Sequence, residues 1–366
     1  MTDPTLPQAT KIKSPNPVRV LVVDDSAFMR FSISQHLNEN PDLQVVGSAN
    51  DGREALRLIP QLQPDVITLD VEMPHMDGLS TLRQIMKSFP RPVIMFSSLT
   101  KEGTAETIQA LMLGAVDFVA KPDNRLDIRQ VMDEMATKIL STAKAKVKPV
   151  SLRQVALPAS LPSQNSEKPV SAYLKTTPVI FIGSSTGGPS ALNDIIPALP
   201  FNLPSPVVVV QHMPAGFTRS LSERLNAISP LKVKEAEPGD RLMVGQVLVA
   251  PGGFHMTLDE NERVALNQKP TVHGVRPAVD VTLTSLIQHY GKSVIAVILT
   301  GMGSDGTNAA SLLHSEGGYV IAEHESTCVV WGMPRSVAEA GAANAILPRP
   351  QIARAIERAI RDFTSG

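Results

Sequence analysis

Residues 18–25, VRVLVVDD, form an almost uninterrupted β-branched run that stops on two aspartates. A continuous apolar run of this kind suits a strand buried on both faces, as in a parallel sheet. The same grammar repeats downstream. Helix-like AFMRFSISQHLNEN (27–40) is followed by strand QVVGSA (44–49), helix DGREALRLIPQL (51–62), strand DVITLD (65–70) and helix GLSTLRQIMKSF (78–89). Then come strand PVIMFSS (92–98), helix GTAETIQALMLG (103–114), strand DFVAKP (117–122) and a last helix from about residue 126. Five strands alternating with five helices predict a doubly wound parallel sheet, whose ligands bind at the carboxyl ends of the strands.

Chemistry collects at those ends. Asp24 and Asp25 close the first strand, Asp70 the third, Ser97 and Ser98 the fourth, and Lys121 the fifth. Three crowded carboxylates repel unless a cation joins them, and Mg²⁺ prefers oxygen ligands. With a lysine and a hydroxyl nearby, the set would hold a phosphoryl group while a carboxylate attacks phosphorus. The alternative is an acidic patch that merely solvates a sheet edge. Asp77, in HMDG, reads as a helix cap.

The stretches VLVVDDSAFMR, DVITLDVEMPHMDGL, PVIMFSSLT and GAVDFVAKP resemble the receiver domain of two-component response regulators, from Val18 to about Leu140. The resemblance implies Asp70 as the phosphorylated residue. It implies Mg²⁺ held by Asp25, Asp70 and the backbone carbonyl of Glu72, with Asp24 in support. Ser97 and Lys121 would contact the phosphoryl group, and Phe118 would be the switch aromatic.

The chain has 366 residues, enough for about two domains. With 34 basic and 35 acidic side chains, it carries no electrostatic footprint for nucleic acid. No apolar run reaches a membrane span, and the polar, proline-rich start has no signal-peptide core, so a cytoplasmic, non-membrane protein is expected. The single cysteine, Cys328, suits a reducing compartment.

From about Lys144 to Thr177 periodicity dissolves into Pro, Ser, Lys and Gln. Residues 141–177 therefore read as a linker between a domain at 18–140 and a second at 178–364. The second opens with PVIFIGSSTGGPS (178–190), and strand-like runs recur at PVVVVQHM, QVLVAPGG, RVALN, SVIAVILTG, GYVIAEH and NAILP. MTLDENERVALN reads as a β-hairpin, so a mixed, mostly parallel sheet is expected here.

GSSTGG lacks the lysine of a phosphate-binding loop and the spacing of a dinucleotide fingerprint. It does fit G-x-S-x-G between a strand and a helix, a turn that exposes its middle serine, Ser185. His212 ends the next strand and can serve as base; Asp305, in TGMGSDG, can orient it. The order Ser, His, Asp differs from that of α/β-hydrolases, so that fold family is not assigned. No metal is required for such chemistry.

IGSSTGGPSAL, VVQHMPAGFTRSLSERL, VLVAPGGFHM, RPAVDVTLTSL and ILTGMGSDG resemble the catalytic domain of the chemotaxis protein-glutamate methylesterases, the CheB family. The implied architecture is a (βα)5 receiver linked to a three-layer α/β esterase domain. The implied activity is hydrolysis of glutamyl methyl esters on chemoreceptors and deamidation of receptor glutamines. Ser185, His212 and Asp305 would be catalytic, the Met302 N–H the oxyanion donor, and the Thr186 hydroxyl an aid to His212. Partners would be a chemotaxis histidine kinase and methyl-accepting chemoreceptors. Ser184 stands where relatives often carry alanine and is discounted as nucleophile. The unphosphorylated receiver is expected to obstruct the cleft near Ser185, and phosphorylation to loosen that contact by shifting Ser97 and Phe118.

Other residues keep two readings. His255 could line the cleft or be structural; Arg276 could meet an acidic substrate or be a loop arginine. Met213 and Phe217 could shape the cleft or be core, and Asp280 could be a second acid or a cap. Cys328 reads as an apolar filler. His273, His289, His314 and His324 read as structural or surface. A DNA-binding output domain would need a basic helix-turn-helix, whereas PQIARAIERAIRDFTSG is one amphipathic helix of mixed charge.

Overall fold

The computed structural model describes residues 14–122, 128–145, 171–172 and 177–365. Most of the proposed linker lies outside the described residues.

The first unit alternates β1 (Val18–Val23), α1 (Ala27–Glu39), β2 (Leu43–Ala49), α2 (Gly52–Leu62), β3 (Val66–Asp70), α3 (Gly78–Ser88), β4 (Val93–Ser97), α4 (Lys101–Met112), β5 (Asp117–Ala120) and α5 (Ile128–Thr142). Side-chain oxygens cap the helices: Ser26 accepts from Met29 N, Asp51 from Glu54 N, Asp77 from Ser80 N and Thr100 from Gly103 N. Each answers an N–H that the first helical turn cannot satisfy. The sheet order is β2-β1-β3-β4-β5, all parallel, so strand order reverses beside β1. Asp24 and Asp70 sit at that switch point.

The second unit begins with β6 (Ser171–Ala172), followed by β7 (Val179–Ser184), α6 (Gly188–Ile195), β8 (Val207–Gln211), α7 (Phe217–Ile228), β9 (Lys232–Glu235), β10 (Met243–Val244) and β11 (Gln246–Val249). It continues through β12 (His255–Leu258), β13 (Val264–Asn267), α8 (Val279–Tyr290), β14 (Val294–Ile298), α9 (Thr307–Ser315), β15 (Tyr319–Glu323), α10 (Met333–Glu339), β16 (Ala345–Leu347) and α11 (Arg349–Ser365). The main sheet, β16-β15-β14-β7-β8-β11-β9, is parallel in every ladder. The expected mixed sheet is thus corrected. The hairpin is real, but β12 and β13 pair only with each other, off the main sheet. Edge strand β9, KVKE, was not predicted, because three of its four residues are charged.

Alternation along β7 explains the three layers. Ile180 and Ile182 face a cluster with Leu192, Leu221 and Ile356 of α6, α7 and α11. Val179 and Phe181 face Leu283, Leu313 and Val337 of α8, α9 and α10. The apolar face of α11 is spent in this packing, which leaves no helix-turn-helix. No helix among the described residues is long and apolar enough to cross a membrane.

The two units meet through one apolar cluster. Ile108 and Leu111 of α4 and Phe118 of β5 join Leu192, Phe217 and Leu221. The Phe118 and Phe217 rings stack at 4.3 Å between centroids, and Thr104 and Ser220 share a 3.1 Å hydrogen bond.

Two candidate sites at the sheet switch points

In the second unit, order reverses between β7 and β14, where a crevice opens at the strand ends. β7 delivers Ser185, whose N–H bonds Thr300 O at 3.0 Å while its own carbonyl accepts from Gly188 N at 2.7 Å. Gly187 completes the turn at φ 80°, and a Cβ there would meet Val329 at 2.6 Å. Only glycine meets both demands. Ser184 is buried and donates to Gln211 Oε1 at 2.7 Å, so its hydroxyl is occupied. Ser185 is partly exposed, and its hydroxyl has no partner among the described residues.

β8 delivers His212. Its Nε2 lies 2.8 Å from Asp305 Oδ2. That carboxylate also receives Val279 N on Oδ2 (2.6 Å) and Asp280 N on Oδ1 (2.9 Å). Burial alone would raise Asp305, but the His212 bond and charge and the two amides outweigh it and hold the carboxyl below its usual range. With Asp305 on Nε2, Nδ1 is the ring nitrogen left for a second partner. Met302 N has no partner among the described residues, although Gly301 beside it is tied on both sides by Val330, Gly332 and Met333.

Thr186 departs from expectation. Its hydroxyl donates to Asp117 Oδ2 of β5, across the domain boundary, at 2.5 Å, instead of turning to His212. A buried carboxylate offers the hydroxyl a strong, charge-assisted acceptor. Lys138 backs Asp117 from behind (3.3 Å); its burial would lower the ammonium's pKa, but Asp117 and Glu134 outweigh this and raise it. Sequence reasoning also missed Thr300. That side chain donates to Thr186 O and accepts from Val329 N and Val330 N, pinning the turn that carries Ser185.

Several alternatives close. Arg276 donates to the carbonyls of Gln268 and Lys269, so it is a loop strut. His255 is buried with Nε2 on Pro270 O, and Met213 and Phe217 are core. Burial pushes the Cys328 thiol up, away from thiolate chemistry.

In the first unit, carboxylate oxygens of Asp24, Asp25 and Asp70 lie within 4.8 Å of one another. Lys121 Nζ stands 2.7 Å from Asp70 and 3.9 Å from Asp24. Asp24 Oδ2 is buried with no hydrogen-bond partner. An orphaned anionic oxygen amid hard oxygen donors fits a divalent cation such as Mg²⁺. Glu72 follows Asp70 in the same loop, its N–H donating to Asp70 and its carboxylate accepting from Ser98. Ser97 is buried and donates to Gly103 O at 3.1 Å, so its hydroxyl is turned away from Asp70 in this structure. Phe118 is likewise turned inward, against Phe217.

Burial pushes Asp70 up to about 6 despite Lys121, and burial raises Asp24 as well. The folded value of Asp70 exceeds that of a free carboxyl, so the folded chain retains a proton that the unfolded chain loses from about pH 4 upward. Stability therefore falls from about pH 4 to 6, and the full cost persists above. At about 1.4 kcal/mol per unit, that cost is ~2–3 kcal/mol. Without Mg²⁺, Asp70→Asn is expected to melt several degrees higher than the parent at pH 7.5 and level with it at pH 4. Equal midpoints at pH 7.5 would contradict this account.

A carboxylate cluster at the switch point of one unit, packed against a second unit that carries a G-x-S-x-G turn and a histidine–aspartate pair, suits a receiver coupled to a hydrolase. Comparison with known families agrees: residues 20–133 match the response regulator receiver domain and residues 180–356 match CheB methylesterase. A protein-glutamate methylesterase/protein-glutamine glutaminase of Symbiobacterium thermophilum is 50% identical over 352 residues, covering 94% of this chain and 97% of that protein. One from Thermotoga maritima is 48% identical over 340 residues, covering 92% and 96%. The crystal structure of the Thermotoga maritima CheB methylesterase catalytic domain is 51% identical, covers 50% of this chain and 97% of that one, and has a TM-score of 0.48. The chain belongs to the CheB family of protein-glutamate methylesterase/protein-glutamine glutaminases.

Proposed function

We propose that this protein hydrolyses glutamate γ-methyl esters, and deamidates glutamines, on chemoreceptors, and that phosphorylation of Asp70 by a chemotaxis histidine kinase releases the activity. The observation that supports the chemistry is the 2.8 Å His212–Asp305 pair at the end of β8, the strand that pairs with β7, whose end leads into Ser185. Asp305 holds the Nε2–H tautomer of His212, which leaves the Nδ1 lone pair for the Ser185 proton. Ser185 Oγ then attacks the ester carbonyl, and the developing oxyanion is met by the Met302 N–H. Collapse breaks the C–O bond, and His212 returns the proton to the departing methoxide to give methanol. Water, deprotonated by His212, hydrolyses the acyl-enzyme and regenerates Ser185. A glutamine side chain follows the same route with ammonia leaving.

The receiver site supports the second half. Asp24, Asp25, Asp70 and the Glu72 carbonyl would hold Mg²⁺, which would neutralise charge on an incoming phosphoryl group. Lys121 stands ready to pair with that group, and Ser97 would swing toward it. Phe118 follows Asp117 at the start of β5, and Ser97 at the end of β4 pairs with Ala120 of the same strand. Their movement would pull Phe118 from Phe217 and Asp117 from Thr186, one residue from the nucleophile.

The test is methanol release from a methylated chemoreceptor fragment, with and without Mg²⁺ plus a small phosphodonor. Release should rise with the phosphodonor, vanish in Ser185→Ala and lose its stimulation in Asp70→Asn. Undiminished release from Ser185→Ala would overturn the mechanism. Silence from the folded, phosphorylated parent would point to a different substrate.

A further inference from the structure

A second histidine touches the acid of the esterase centre. Val272 and Val275 close a two-residue turn by reciprocal backbone bonds of 3.2 and 3.0 Å. His273 and Gly274 at its tip have φ of 53° and 77°. A turn with both central residues left-handed favours asparagine–glycine above other pairs. Histidine stands where asparagine would suit the backbone better, so the turn itself does not explain it.

The side chain is 35% exposed, and its Nε2 edge is turned toward two carboxylates. His273 Nε2 lies 3.0 Å from Asp280 Oδ2 and 3.9 Å from Asp305 Oδ1. Both carboxylates are buried, at 8% and 2% exposure. Asp280 additionally accepts from Ala309 N at 2.9 Å. Ligand oxygens of Asp280 and Asp305 lie within 4.8 Å of each other and of the His273 ring, so their negative charges face one group. The groups facing His273 are Asp280 on α8 and Asp305 in the turn before α9, with His212 beyond Asp305. On its own strap, Arg276 is turned to the carbonyls of Gln268 and Lys269.

We propose that His273 is a positioning residue for ester hydrolysis: it compensates the Asp280 charge, so that the field reaching His212 is that of Asp305 alone. The proposal rests on the Ser185–His212–Asp305 reading. Without the ring, Asp280 adds an uncompensated negative charge behind Asp305. That charge favours protonated His212, and the base is then lost at a higher pH.

The experiment measures kcat/KM for methanol release by the full chain from pH 5.5 to 8.5, with Mg²⁺, acetyl phosphate and the methylated receptor fragment. His273→Asn suits the turn and removes the ring. Its acid limb is expected to move up by about half to one pH unit, with the plateau within about twofold of the parent. Adding Asp280→Asn should return the limb, and His273→Lys, which keeps a cation, should leave it in place. A purely structural role would lower the whole profile without moving its limb. A limb unmoved in His273→Asn, or a shift that Asp280→Asn fails to reverse, would overturn the proposal. If Ser185→Ala is silent while the limb stays put, only the role of His273 fails; if Ser185→Ala still releases methanol, the triad reading itself fails.

Discussion

Asp305→Asn is expected to lower kcat for methanol release by about 10³–10⁴-fold while leaving KM close to that of the parent. The loss follows from atom bookkeeping around one carboxylate. Its two oxygens receive Val279 N and Asp280 N, and one of them also holds His212 Nε2. An amide has a single acceptor oxygen. If that oxygen serves Val279 and His212, the amide nitrogen meets the Asp280 N–H donor to donor. If it turns to Asp280, the amide nitrogen faces Val279 and His212. The imidazole must then accept through Nε2, which places its proton on Nδ1 and removes the base that Ser185 needs. Single-turnover kinetics with the phosphorylated protein would check this. A kcat within tenfold of the parent would remove Asp305 from the mechanism.

Asp117→Ala is expected to raise methanol release in the absence of phosphodonor by about 10–100-fold and to shrink the remaining response to phosphorylation. Asp117 belongs to the receiver, yet it accepts from the hydroxyl of Thr186, next to Ser185. A buried hydrogen bond to a charged acceptor is worth about 1.5–3 kcal/mol, which sets the size of the shift between docked and released states. Lys138 keeps Glu134 as a partner at 2.9 Å, so the substitution does not strand its charge. Phe118→Ala should act in the same direction by emptying the ring contact with Phe217. Basal release unchanged in both variants, with the far-ultraviolet circular dichroism of the parent, would show that this contact does not restrain the esterase.

The two predictions draw on information of different reach. The triad candidates could be singled out because Ser185 and His212 directly follow strand ends, Asp305 lies in the glycine-rich turn after β14, and each is a residue type with a dominant use there. The receiver carboxylates were legible for the same reason, reinforced by order: acid pair, aspartate, hydroxyl, lysine. Where sequence reasoning fell short, the local pattern was weak or the deciding partner was not local. β9 was missed because KVKE is a short edge strand with little apolar pattern. The hairpin was assigned to the main sheet because local alternation shows that two strands pair, but not what else they join. Arg276 could be imagined on a substrate because nothing nearby in sequence shows the carbonyls of Gln268 and Lys269 that it holds.

What the sequence by itself determined is what period and position encode: two α/β units, the first of them parallel, the strand ends on which chemistry collects, and the residue types that collect there. Tertiary structure alone decided the partners of those residues. Thr186 is 69 positions from Asp117, His212 is 93 from Asp305, and Phe118 meets Phe217 across the boundary between the two units. Hydrogen bonds and ring contacts act over a few ångströms and are blind to separation along the chain. Which ring nitrogen of His212 faces Asp305 and which histidine stands beside Asp280 are therefore set only once the second unit has folded, and which hydroxyl Asp117 restrains only once the two units have docked.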